Sequence, residues 1–173
     1  MTWLGLLVLA CVCVHGGNHL LHRRPADLLW ACHVGAAAVG IGVLLRSAVC
    51  DAIGVLFLLV GVPLWILDVA TGGEFIPTSV PTHLGGLVVG LLALKNMGPP
   101  AGVWWKAALA LAVLVGVCRL LTPAPANVNL AFAVPSGWRS YFPSHRWYLI
   151  GLGTAVSAVF FGAEQGLRKI FDS

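Results

Sequence analysis

The residues of this sequence whose types and spacing could do chemistry are a cysteine, several histidines and two asparagines, all set among apolar runs. Cys32 and His33 stand side by side in Leu28-Leu29-Trp30-Ala31-Cys32-His33-Val34-Gly35. Neighbours on a helix point about 100° apart, so these two do not act on each other. His83, at the head of a later apolar run, is the better partner for Cys32. A thiol becomes a strong nucleophile when a nearby imidazole takes its proton. Acyl transfer through a thioester would then need a donor to the developing oxyanion, and Asn127 or Asn129 could supply it. On spacing alone the reading favoured for Cys32 is a buried inert cysteine.

Other pairings stay open. His33 and His83 could sit at similar depth on neighbouring helices, as bis-histidine ligands of haem b or as hydrogen-bonded core histidines. Asp68 could pair with a histidine or with Arg119, as a structural ion pair or as part of a proton relay. Cys11, His15, His19 and His22 share one helix face by i, i+4 and i+3 steps. Imidazoles at i and i+4 can ligate a metal. HExxH-type support is missing, however, and interfacial histidines are commonly satisfied by headgroups or water. The expectation is therefore no metal and no resident cofactor; one alternative is a haem b- or quinone-binding subunit of an electron-transfer complex, another a non-catalytic scaffold or small-solute transporter. His15, His19, His33 and Asp68 are expected to support the site or contact substrate.

The elements that must position these groups are membrane spans. Of 173 residues, 59% are hydrophobic and 9% charged, and mean hydropathy is +0.93. A soluble domain carries about 25% charged residues, so this chain has too few to cover a water-facing surface. Apolar runs of about 20 residues, long enough to cross the hydrocarbon core, recur from end to end. The fold expected is all-α: a polytopic membrane protein, one bundle of six transmembrane helices over residues 1–173. The spans fall near 2–21, 26–46, 51–71, 82–96, 103–122 and 147–166, the last followed by a short amphipathic tail. Pro25 or Ala26 opens the second, with Asp27 near the positive end of its dipole. Pro63 predicts a kink in the third, and Thr82 an N-cap for the fourth. Gly86 with Gly90, and Gly162 with Gly166, have the GxxxG spacing of close helix packing.

Net charge is +4, with basic residues scattered singly or in pairs. That is the habit of membrane-flanking anchors and excludes a nucleic-acid footprint, which needs a clustered basic face. The five cysteines form no CxxC pattern and read as small apolar filler. Met1 to Val14 lacks a basic n-region and an A-x-A site, so it reads as a retained first helix. Arg23, Arg24, Arg119, Arg139 and Arg146 balance Arg46, Lys95, Lys106, Arg168 and Lys169 across the two faces, which leaves orientation undecided. Six antiparallel spans put all six histidines on one side, with Cys32, Asp68, Asn127 and Asn129. Polar groups at membrane depth must face protein or water, so a polar cavity opening to that face is expected.

The order of these pieces resembles the YwaF-like integral membrane proteins, the group that also holds transmembrane protein 164. The matching pieces are Pro25-Ala26-Asp27-Leu28-Leu29-Trp30-Ala31-Cys32, then Pro81-Thr82-His83-Leu84, then Asn127-Val128-Asn129-Leu130 with Pro135 and Phe142-Pro143. Where the family tends to have a histidine two residues before the cysteine, this chain has Trp30, and its histidine follows as His33. The resemblance implies six helices and acyl transfer on phospholipid or lysophospholipid, with Cys32 as nucleophile and His83 as base. Membrane lipids are then the partners, and a bacterial inner membrane is the expected location.

Overall fold

The computed structural model of the chain describes residues 1–171. Among them every regular element is helical, and six α-helices follow one another: α1 Thr2–Leu21, α2 Ala31–Leu45, α3 Ala48–Ala70, α4 Gly86–Met97, α5 Val103–Leu121 and α6 His145–Phe171. Four of them, α1, α3, α5 and α6, are long and apolar enough to cross a membrane. Their outward faces carry large apolar side chains such as Trp3, Leu6, Leu64, Leu67, Leu109, Val113, Ile150 and Phe161.

Two spans differ from the sequence expectation. The second does not run unbroken over 26–46: a 3-10 turn, Pro25–Leu29, precedes α2. The fourth begins as a π-helical turn, Pro81–Gly85, that continues into α4. Thr82 does not cap this helix; its hydroxyl donates instead to the carbonyls of Thr78 and Cys11. Both irregular turns lie at the end of the molecule that holds the histidines. The expected amphipathic tail is part of α6, which is continuous from His145 to Phe171. The helix α3 also continues through Pro63.

Small residues decide which helices touch. Central in the packing is α3, which meets α2, α4, α5 and α6, while α1 lies on α2 and α4. A Cβ on Gly54 would stand 2.5 Å from the Gly35 carbonyl oxygen and 2.7 Å from the Val39 nitrogen. Backbone thus meets backbone where α2 crosses α3, the role such residues serve when apolar burial alone does not drive association. Gly5 and Gly40 do the same for α1 and α2, and Gly86 and Gly90 face Ala36 and Val55. The second GxxxG pair is different: a Cβ on Gly162 or Gly166 would meet nothing within 4 Å.

A carboxylate joins the hairpin of α5 and α6. Glu164, 2% exposed, accepts from the Gly102 and Trp104 N–H groups at 2.8 Å each. It satisfies orphan donors at the positive end of α5.

The glycine geometry predicts opposite outcomes for two alanines. Gly54→Ala forces backbone apart and should cost about 1–3 kcal/mol, seen as a lowered melting temperature of the detergent-purified protein. Gly162→Ala meets open space, and the helix propensity it gains, up to about 1 kcal/mol, should leave the melting temperature level or raised.

Candidate functional site

The site is built around the interruption before α2. After α1 the chain makes the 3-10 turn, extends at Trp30 (φ −59°, ψ 137°) and only then enters α2. Cys32 and His33 therefore lie in the first turn of α2, not two turns into a helix. The break leaves backbone groups that need partners, and Asn129 supplies them from a distant loop. Its Oδ1 accepts from the Ala31 N–H at 2.9 Å, and its Nδ2 donates to the Leu29 carbonyl at 2.7 Å. Asn127, Asn129 and Leu130 take left-handed backbone conformations, φ 43°, 52° and 57°. Asparagine tolerates this region and leucine does not, so strain at Leu130 accompanies the placement of Asn129. Asn127 Oδ1 accepts from the Phe132 and Ala133 N–H groups within the loop. Both amides are thus committed to backbone, and neither is a free oxyanion donor as the sequence reading expected.

Four histidines from three helical segments meet beside this break. His15 and His19 come from the end of α1, His33 from the start of α2 and His83 from the π-helical turn; all are buried. His15 Nε2 is 3.0 Å from His33 Nε2 and 3.2 Å from His19 Nε2. The outer nitrogens face oxygen. His33 Nδ1 is 2.7 Å from the Asp27 carbonyl and His83 Nδ1 2.8 Å from the Ser79 carbonyl. His15 Nδ1 is 2.8 Å from the Thr78 hydroxyl. His19 Nδ1 stands 3.4 Å from an Asp27 carboxylate oxygen, an ion-pair distance without hydrogen-bond geometry. A carbonyl oxygen can only accept, so His33 and His83 carry their protons on Nδ1 and present a bare Nε2 when neutral. His83 Nε2 is buried with no hydrogen-bond partner, and its ring stacks on Trp65 at 4.9 Å between centroids, 10° from parallel.

Cys32 joins this group. Its Sγ and one ring nitrogen each of His33 and His83 lie within 4.8 Å of one another. They border a cavity of about 450 Å³ whose walls include Phe57, Leu64, Leu111, Leu152, Val156 and Phe160. Arg24 and Glu74, exposed and ion-paired, also line it; the Arg24 guanidinium holds the Glu74 carboxyl below its ordinary range.

The remaining expectations separate. Asp68 lines the cavity against Gly73, and pairs with neither a histidine nor Arg119 among the described residues. Arg119 instead donates to the Ala131 carbonyl and meets His145. His22 turns out to the exposed surface and bonds Asn18. The His33 and His83 rings, with centroids 5.3 Å apart at 68°, meet edge to face.

Sequence reading missed Asp27, Trp65, Thr78 and Ser79 as site residues. Asp27 was legible only as a residue near a helix start. Thr78 and Ser79 carry a weak signal, as hydroxyl residues just before His83. Comparison with models of protein families, with curated proteins and with solved structures gave no match.

The Asn129 contacts predict that Asn129→Ala, which strips partners from the Ala31 N–H and the Leu29 carbonyl, lowers stability by about 1–3 kcal/mol. The check is thermal unfolding in detergent. The same variant should loosen the start of α2, read as faster alkylation of Cys32 by a membrane-permeant maleimide.

Proposed function

We propose that this chain is an integral membrane protein that transfers acyl groups between lipids through Cys32 and His83. The membrane reading is supported by the four long apolar helices and by their large outward apolar side chains. Monomeric soluble proteins rarely expose contiguous apolar surface on this scale. In this reading α2 and α4 complete a six-helix bundle, with their irregular turns shielded inside it.

The observation that carries the transfer reading is the thiol of Cys32 within 4.8 Å of imidazole nitrogen from His83, beside a largely apolar-walled cavity. The walls suit an acyl chain, and the charged end near Arg24 and Asp68 suits a headgroup. The order of motifs, which resembles that of the YwaF-like proteins, points to the same pair.

The chemistry follows from the proton on His83. With Nδ1–H tied to the Ser79 carbonyl, Nε2 is the basic atom and takes the Cys32 proton as the chain closes the remaining gap. Sulfur adds to the ester carbonyl of a donor phospholipid. The carbon–oxygen bond breaks, the leaving alkoxide takes the proton back from His83, and a thioester remains on Cys32. The hydroxyl of an acceptor lysophospholipid then gives its proton to His83 and attacks the thioester. The carbon–sulfur bond breaks, and the thiolate recovers the proton. With both asparagines engaged, the Cys32 N–H, one of the amides at the start of α2 without an intrahelical partner, serves as oxyanion donor.

The test is transfer of a labelled acyl chain from phospholipid to lysophospholipid by the purified protein in nanodiscs. Cys32→Ala should abolish transfer and His83→Ala should slow it about 10²–10⁴-fold, with both variants keeping the wild-type elution profile. Unchanged product from Cys32→Ala would refute the mechanism.

A further inference from the structure

The three nitrogens that converge from His15, His19 and His33 are unexplained by acyl transfer. His33 carries its proton on Nδ1, against the Asp27 carbonyl, so its Nε2 offers a lone pair. Without a cation, the 3.0 Å contact to His15 Nε2 needs a proton on His15. That single proton must also serve the 3.2 Å contact from His19 Nε2. A cation among the three would accept a lone pair from each.

The outer shell fits such an ion. A metal-bound imidazole almost always gives its other N–H to a carbonyl, carboxylate or water, which fixes ring and tautomer. Here Asp27 faces two of the rings, through its carbonyl at hydrogen-bond distance from His33 and through its carboxylate at an ion-pair distance of 3.4 Å from His19, and the Thr78 hydroxyl faces the third. Two of the three spacings fit closely. Metal–nitrogen bonds of about 2.0–2.1 Å at tetrahedral angles set ligand nitrogens about 3.3–3.4 Å apart; His15 stands 3.0 Å from His33 and 3.2 Å from His19, and the ligand nitrogens of all three lie within 4.8 Å of one another.

We propose that His15, His19 and His33 form a binding site for a divalent transition-metal ion of the zinc class, held through their Nε2 atoms. Neutral imidazole suits zinc, copper, nickel and iron, and a site without carboxylate or carbonyl ligands excludes magnesium and calcium. Three protein ligands leave a fourth position, and all three histidines line the cavity, so that position takes water or a substrate oxygen. The site does not depend on the Cys32–His83 reaction.

The experiment uses the full chain in detergent, stripped with a chelator and titrated with Zn²⁺ or Co²⁺. Wild type should retain one ion per chain after desalting, and so should Cys32→Ala, His83→Ala and the surface control His22→Ala. His19→Ala should lose at least nine-tenths of the ion, and Asp27→Asn should weaken binding about 10–100-fold. Wild type alone supplies a reading that needs no folded variant: the Co²⁺ form should show tetrahedral d–d bands and no thiolate charge-transfer band. Stoichiometric binding by His19→Ala, no retained ion in wild type, or a thiolate band would each overturn the site. Loss of transfer in Cys32→Ala with the ion retained separates the two proposals.

Discussion

Oxygen atoms on the outer nitrogens of the histidine rings hold the inner nitrogens toward one another, and the rest of the site depends on this. Two of those oxygens are backbone carbonyls, of Asp27 and Ser79, so the tautomers follow from the path of the main chain. A carbonyl has no proton to give. That path also explains why both neighbouring helices start irregularly: the 3-10 turn carries Asp27, and the π-helical turn places His83 one turn beyond Ser79. Local π-helical geometry is frequent at functional positions for this reason, since it redirects a side chain without ending the helix.

Irregular backbone at membrane depth is tolerated where protein or a cavity covers it, because lipid offers no hydrogen bonds. In this chain the break before α2 is covered by a loop far along the sequence. Asn129 reaches the break before α2 from the loop after α5, and three left-handed residues hold it there. The cost at Leu130 is of the order of 1–3 kcal/mol. It is offset by pairing two backbone groups that would otherwise cost about 1–3 kcal/mol each.

Much of this was legible in the sequence because the signals were periodic. Long apolar runs marked α1, α3, α5 and α6, and the helical steps from Cys11 to His22 put His15 and His19 on one face. Alternation of direction then put all the histidines at one end. Other features were not legible. The break before α2 has no local signal beyond Pro25, since what stabilises it is an asparagine 98 residues away from Ala31. Asn129 was visible as a polar residue in a loop, yet its two bonds to backbone depend on tertiary contact. Glu164 fell inside the last expected span with no role assigned, because its partners belong to another helix. The two GxxxG pairs read alike, and only packing distinguishes Gly90, pressed on Val55, from Gly166, which faces open space.

The tautomer state of the histidines most directly tests whether the Asp27 and Ser79 carbonyls set the site. Nitrogen-15 NMR of the histidine-labelled protein in nanodiscs, assigned by single replacement, reports which ring nitrogen carries the proton. His33 and His83 should carry Nδ1–H with Nε2 unprotonated, and an ion on Nε2 would keep His33 in that state. A proton on Nε2 with bare Nδ1 in either ring would contradict it, because the Asp27 or Ser79 carbonyl would then face a lone pair.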